Sequence, residues 1–407
     1  MHLFFLPCFR SLYKCLLMNK DLLLPLFVFL FSFTTYAQSG TTPEGLFSGV
    51  TINKSYSLGQ ELQTIMDRYT SKDLPGVALA IYSESEGWWS AASGYAKTES
   101  KTPMTVDHLQ YLQSVTKTYA AVAALRLSEE GKLDLDAPIS KYLPKKYNRL
   151  IRNIDKITVR MLMNHTSGIA EYNSHPKYTA DVILHPLKVL DMEEVINCLE
   201  HEEQQFAPGT KYRYTNTNYF LLTVIEDVVC GNHAKYFEEK IFRPLQLNNS
   251  FYRSSKGYLT YPLLPDSYWD ILGTGRPANI TPMQVANVAA LRGDDGIVAT
   301  PIDAVKFLKG LMEGKLINSS SMDQMKQWVK NEEGKEVYGL GLSRMEAGSI
   351  VAYGHGGGGL GAGCLLLYVP AKKVYLFLAT NIGLVIEGPV GVKVDAMRNE
   401  IMGVLLR

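Results

Sequence analysis

Two hairpin patterns, one near each end of this chain, restrict its fold more than any other feature. Near the start, Val77-Ala-Leu-Ala-Ile-Tyr82 and Trp88 to Tyr95 are apolar, aromatic-rich stretches parted by the polar Glu84-Ser85-Glu86-Gly87. Near the end, Cys364 to Val369 and Val374 to Thr380 flank Pro370-Ala-Lys-Lys373 in the same manner. Between them the sequence has mostly helical periodicity broken by Pro and Gly. Strands at both ends with helices between imply an α+β fold: one antiparallel sheet completed by the two ends of the chain, flanked by terminal helices, with an inserted, mostly helical lobe. The flanking helices are readable on either side. Ser55 to Tyr69 sets Leu58, Leu62, Ile65 and Met66 on one face, and Val390 to Leu406 does so with Val394, Met397, Ile401 and Leu405. These patterns divide the chain into an α/β lobe of about residues 50–135 plus 273–407 and a helical lobe of about 136–272, together one catalytic-size domain over 38–407.

Composition narrows the function. The chain has 407 residues, 46% of them hydrophobic, with 41 Lys+Arg against 40 Asp+Glu, so disorder and a disulfide-stapled miniprotein are both out. A formal charge of +1 without a basic tract lacks the electrostatic footprint of a nucleic-acid binder and points to a small substrate. Residues 1–37 read as a signal peptide. The apolar run Leu22 to Phe33 follows Lys20 and ends near the small-residue site at Ala37, and Met18 offers an alternative start. The run is shorter than the ~18–20 apolar residues of a spanning helix and contains Pro25, so export to the periplasm or medium, without stable membrane insertion, is expected. Cys198, Cys230 and Cys364 remain after the leader. This odd number is no disulfide framework, and free thiols are expected, although a Cys198–Cys230 pair is conceivable. The histidines nowhere pair at ligand spacing, so neither a metal nor any other cofactor is expected.

Three segments can carry chemistry. Ser114-Val115-Thr116-Lys117 opens an Ala- and Leu-rich helix that stops at Gly131, and three residues make roughly one turn, so hydroxyl and amine share a face. A desolvated lysine can take the proton of such a hydroxyl, while on spacing alone a capping serine and a surface lysine fit as well. Ser11–Lys14 and Ser174–Lys177 repeat the spacing, one upstream of the export signal and the other interrupted by Pro176. Tyr214-Thr215-Asn216 stands in a loop before an apolar helix expected from near Phe220. Its phenol could serve as base or relay if cations lower its pKa, and its carboxamide could hold an amide; as packing and turn residues they would be unremarkable. Tyr353-Gly-His355-Gly-Gly-Gly-Gly-Leu-Gly-Ala-Gly363 precedes the strand at Cys364, and its glycines let backbone N–H groups approach a developing oxyanion. It precedes a strand, not a helix, which argues against a dinucleotide loop.

In this order the three segments resemble the Ser-x-x-Lys, Tyr-x-Asn and Lys/His-x-Gly motifs of the serine β-lactamase and penicillin-binding-protein superfamily, in its class C-like branch of D,D-peptidases, D-aminopeptidases and carboxylesterases. Leu74-Pro-Gly-Val-Ala78, Leu162-Met-Asn-His-Thr-Ser-Gly168, Pro208-Gly209 and Gly293-Asp-Asp-Gly-Ile-Val-Ala-Thr-Pro301 are similar to its connecting signatures, and the likeness runs from about residue 56 to 406. The resemblance implies a β-lactamase/D,D-peptidase-like fold. It implies Ser114 as acylated nucleophile, Lys117 and Tyr214 as base and proton relay, and Asn216, His355 and Gly357 as substrate-binding residues. The oxyanion hole would be the backbone N–H groups of Ser114 and Gly358, and His165 would belong to a structural turn. A fractionally charged His355 and a Gly356 without hydroxyl would capture a carboxylate poorly, which favours peptide-like amides or short esters over β-lactam antibiotics. A carboxylesterase and a silent binding protein of the same fold are the competing readings. Gln113, where a small residue is usual, has no reading at this level.

Overall fold

The computed structural model describes residues 49–252, 256–384 and 388–407; the leader and its cleavage site lie outside the described residues. The strands are β1 (Gly76–Ser83), β2 (Gly87–Lys97), β3 (Thr102–Pro103), β4 (Gln110–Tyr111), β5 (Ser250–Tyr252), β6 (Tyr268–Trp269), β7 (Ala278–Asn279), β8 (Ile297–Ala299), β9 (Val329–Lys330), β10 (Glu336–Tyr338), β11 (Ser343–Ala347), β12 (Ile350–Gly358), β13 (Gly363–Val369) and β14 (Val374–Thr380). Nine of them form one sheet in the order β3-β2-β1-β14-β13-β12-β11-β10-β9. The first and last hairpins meet at its centre, where β1 and β14 run antiparallel in register from Val77↔Thr380 to Ser83↔Val374. The sheet is therefore completed by the two ends of the chain, as the paired hairpin patterns imply.

Each face of the sheet buries a different set of helices. On one side α1 (Gly59–Thr70) and the C-terminal helix (Pro389–Leu405) press Leu62, Ile65, Met66, Val394, Met397 and Ile401 onto Val77, Leu79, Ile81, Leu376 and Leu378. On the other side α2 (Thr116–Glu129) and the segments that follow share a core with Ala80, Leu366 and Phe377. Helix α2 is enclosed all round, with Ala120, Ala121, Ala123 and Ala124 fully buried, which only small side chains allow at such close approach. Gly131 ends it at φ +69°, a conformation that favours glycine.

The stretch 136–272 contains α3 (Val159–Met163), α4 (Pro176–Leu184), α5 (Asn216–Cys230) and many 3₁₀ turns. It also contains β5 and β6, which the helical expectation omits; β5 joins β4 and β8 in a three-stranded sheet. At three and two residues these strands are too short to leave a period in the sequence. Strands β9–β12 were likewise absent from the sequence reading, and the first half of the glycine tract is itself strand, paired Gly356↔Leu365, Gly357↔Cys364 and Gly358↔Gly363.

Candidate active site

The nucleophile candidate sits on a tight turn. Gln113–Val115 is a 3₁₀ turn that runs directly into α2, leaving Ser114 half-buried at the mouth and Lys117 fully buried one turn below. Strand β12 lies against this turn so closely that a Cβ at Gly357 would be 2.6 Å from the Leu112 carbonyl and 2.9 Å from Gln113 Cβ. This approach is what the glycines permit. Gly358 follows at the half-buried end of the strand.

Lys117 Nζ lies 3.0 Å from Ser114 Oγ, 2.7 Å from Asn216 Oδ1 and 2.8 Å from the Asp294 carbonyl oxygen. Burial pushes its pKa down from 10.5 to about 8, against the opposing pull of Asp294, Asp295 and Glu171. Two of its three partners are carbonyl-type oxygens that cannot donate. When the amine is neutral, its two hydrogens satisfy those oxygens and its lone pair is left for the Ser114 hydroxyl proton. The spacing read from sequence therefore becomes an amine able to accept a proton, set beside a hydroxyl.

Tyr214 and Asn216 arrive from the start of α5. The helix begins at Asn216 rather than near Phe220, because the Glu171 carboxylate accepts the Asn216 backbone N–H at 2.6 Å and fixes the first turn earlier than the apolar run suggests. Lys117 Nζ stands 5.0 Å from the centre of the Tyr214 ring, and the phenol has a hydrogen-bonding contact with Ser114. Its pKa is not lowered, as the cation-assisted base reading requires. Burial, with Asp294, Glu171 and Asp295 adding to it, raises the phenol well above 10 despite the contact with Ser114. Tyr214 thus rests protonated.

His355 departs from expectation in the same direction. It is buried on β12, and desolvation followed by the charge of Lys117 drives its pKa down to about 3, so at neutral pH it carries no charge and does not titrate. Its Nδ1 lies 2.6 Å from the Gly356 carbonyl, which only accepts, so that nitrogen carries the proton; Nε2 at 2.9 Å then accepts from the Tyr338 hydroxyl. The cleft wall at this point is a neutral, hydrogen-bonded imidazole. His165, which the resemblance assigns to a structural turn, is buried behind Tyr214 with ring centres 4.3 Å apart, and its Nδ1 accepts the Thr215 backbone N–H at 3.3 Å, so it supports the Tyr214 segment.

The sequence reading missed four groups. Half-buried Glu171 and buried Asp295 are both pushed up to about 7, in each case by burial first. Asp294 is raised by burial while Tyr172 donates to its Oδ2 at 2.6 Å. Tyr338, which fixes His355, is the fourth. The adjacent acids between Gly293 and Gly296 were a visible signal, whereas Glu171 and Tyr338 had none. Among the described residues no group of His, Cys, Asp and Glu has the arrangement of a metal site. Cys198, Cys230 and Cys364 are free thiols. No helix among the described residues is long and apolar enough to cross a membrane.

The chain has relatives among known proteins. The chain is 24% identical over 307 residues to penicillin-binding protein 4* of Bacillus subtilis, covering 71% of this chain and 64% of that protein, so it spans just under two thirds of that relative. A D-amino acid amidase structure from Ochrobactrum anthropi SV3, in complex with L-phenylalanine, superposes with a TM-score of 0.72 at 25% identity, covering 85% of this chain and 97% of that one. A D-stereospecific amidohydrolase from Streptomyces shares the fold, with a TM-score of 0.70 at 24% identity over 80% of this chain and 94% of the other. The family model described as Beta-lactamase matches residues 60–386, and the chain accordingly belongs to the β-lactamase family of serine hydrolases, which includes penicillin-binding proteins and D-amino acid amidases.

Proposed function

We propose that this chain is an exported hydrolase that forms an acyl-enzyme on Ser114 and cleaves small peptide-like amides, of D-amino-acid or cell-wall type. The observation that carries the reading is the placement of Lys117 Nζ between Ser114 Oγ and two oxygens that can only accept. Neutral Lys117 takes the Ser114 proton as Oγ bonds to the substrate carbonyl carbon. The resulting oxyanion is held by the N–H groups of Ser114 and Gly358. Tyr214 gives its proton to the leaving nitrogen as the C–N bond breaks, and the ammonium of Lys117 restores it. Water then cleaves the ester on Ser114 through the same groups. Asn216, whose oxygen is held by Lys117, turns its NH₂ toward the substrate amide, and His355 and Gly357 line the facing strand.

Two features favour amides without a carboxylate at the His355 wall. His355 is neutral and Gly356 has no hydroxyl, so the wall offers no cation there. The two amidohydrolase neighbours act on D-configured substrates by name. The test is kinetic: D-amino-acid amides, D-Ala-D-Ala peptides, p-nitrophenyl esters and a chromogenic cephalosporin, with intact-mass detection of a fluorophosphonate adduct. We expect amide turnover and an adduct that Ser114→Ala abolishes. Turnover of esters alone would make the protein a carboxylesterase, and no adduct with any acylating probe would make it a binding protein. Export is tested by N-terminal sequencing, with Gln38 as the expected first residue of the mature chain.

A further inference from the structure

Gln113 has no part in the chemistry above, yet its conformation is unusual. It adopts φ +49°, in the left-handed region that disfavours a residue with a side chain, and it is 1% exposed. Its Nε2 has no hydrogen-bond partner among the described residues. The carboxamide lies where a side chain at Gly359 would have to go: a Cβ there would overlap Oε1 and would stand 2.8 Å from Nε2. Gln113 Cβ also underlies Gly357. The side chain therefore spans the strand end on both sides of Gly358. From the sheet side, Gly359 is held by its N–H to the Ala362 carbonyl at 3.0 Å and by its carbonyl to the Leu384 N–H at 3.1 Å. The three atoms nearest a Cβ at Gly359 all belong to the Gln113 carboxamide.

The geometry points to Gln113 as a positioning residue for the oxyanion hole: a wedge that fixes the Gly358 N–H relative to the Ser114 N–H. The two donors belong to different elements. Ser114 N–H lies in the peptide group whose carbonyl is that of Gln113, while Gly358 lies in a run of four glycines, Gly356 to Gly359, with no side chains of its own to pack. Glycine backbone is the most freely deformed of any residue, and an oxyanion hole loses much of its effect when a donor is misplaced by a fraction of an ångström. A glutamine held in an unfavourable conformation at this junction braces the strand from the turn that carries the other donor. A small residue would relieve the backbone but leave the notch under Gly359 empty. This inference rests on the acyl-enzyme reading above.

The test compares wild type, Gln113→Gly, Gly359→Ala, the Gln113→Gly/Gly359→Ala double variant and Gln113→Met. It measures fluorophosphonate acylation of Ser114, kcat and KM on the best substrate of the panel, and Tm. Glycine suits φ +49°, so Gln113→Gly should melt no lower than wild type, while acylation and kcat fall about 10- to 100-fold and KM stays within about twofold. Gly359→Ala alone should also lose rate, because its methyl group collides with the carboxamide. In the double variant that methyl occupies part of the vacated notch, and kcat should recover at least about threefold over Gln113→Gly. Gln113→Met keeps the wedge without its amide and should stay within about threefold of wild type. Wild-type acylation in Gln113→Gly, or a rate loss that the double variant does not relieve, overturns the inference. Wild type that no probe acylates would instead refute the acyl-enzyme reading on which it rests.

Discussion

Replacing Lys117 with methionine should separate catalysis from stability in opposite directions. In the folded chain the ammonium is fully buried and its pKa drops from 10.5 to about 8, which corresponds to about 3 kcal/mol of destabilisation while it is charged. The sign follows from the depressed value. Below about 8 the group is protonated in both folded and unfolded chains and the whole cost is present; it fades as pH rises and is gone above 10.5. Methionine removes that cost but strands Asn216 Oδ1 and the Asp294 carbonyl, at about 1–3 kcal/mol for each acceptor left without a donor. The two contributions nearly cancel at pH 7, so Lys117→Met should fold with a Tm within about 5 °C of wild type, and should be relatively less stable at pH 10, where wild type has shed most of its penalty. Its catalytic loss is not offset: the Ser114 hydroxyl loses its base, and kcat/KM should fall by about 10³ or more. Melting curves at pH 7 and 10 and single-turnover acylation of Ser114 read both effects. A variant that keeps a tenth of wild-type acylation would refute the role of Lys117, and one that unfolds at pH 7 would refute the energetic argument.

Other consequences are separately measurable. Asp295→Asn removes a negative charge that helps hold the proton on Lys117, so the rising limb of kcat/KM against pH should move down by about one pH unit; no movement, or movement upward, would reject the coupling. Tyr338→Phe takes the donor from His355 Nε2 and should cost about 1–3 kcal/mol in urea unfolding, with unchanged stability arguing against the hydrogen-bond assignment. Gly341→Ala puts a methyl onto Ala121 and 3.0 Å from both the Lys117 carbonyl and the Tyr219 hydroxyl, at a backbone φ of +70°; a loss of about 3 kcal/mol or more is expected, and full stability would mean that this turn does not press on the nucleophile helix as described.

How far the sequence was legible follows from which forces act locally. The hairpins of β1–β2 and β13–β14 and the helices at both ends were readable because each buries one face and repeats its pattern several times. Val394, Met397 and Ile401 are buried as their spacing implies. Strand β11 had no such pattern: Ser343, Arg344, Met345, Glu346 and Ala347 are half-buried or exposed along their whole length, and only pairing with β12 makes them a strand. Strand β12 was hidden differently. Glycine disfavours strands when judged alone, yet here four glycines are strand or adjoin it; at Gly357 the turn before α2 leaves no room for a Cβ, and at Gly359 the Gln113 carboxamide takes its place.

The candidate reactive residues were legible by type and spacing, but their protonation was not, since that depends on enclosure. An ordinary lysine holds its proton slightly more tightly than an ordinary tyrosine, 10.5 against 10.0. Burial disfavours whichever form is charged, and the two groups are charged in opposite states. Lys117 is therefore pushed down to about 8 and Tyr214 well above 10, and their order inverts. The sequence reading let them share the base and relay work; enclosure divides it, with the lysine able to accept a proton near neutral pH and the phenol able to donate one. Asp294 first, then Asp295 and Glu171, which are themselves pushed up to about 7, limit how far Lys117 falls. Were they absent, burial would drive the pKa lower still: the ammonium would return a proton to Tyr214 with greater ease, but the neutral amine would take one from Ser114 with less. In the proposed mechanism these acids, of which only Asp294 and Asp295 stand in a segment the sequence marks, set the compromise between the two halves of the reaction.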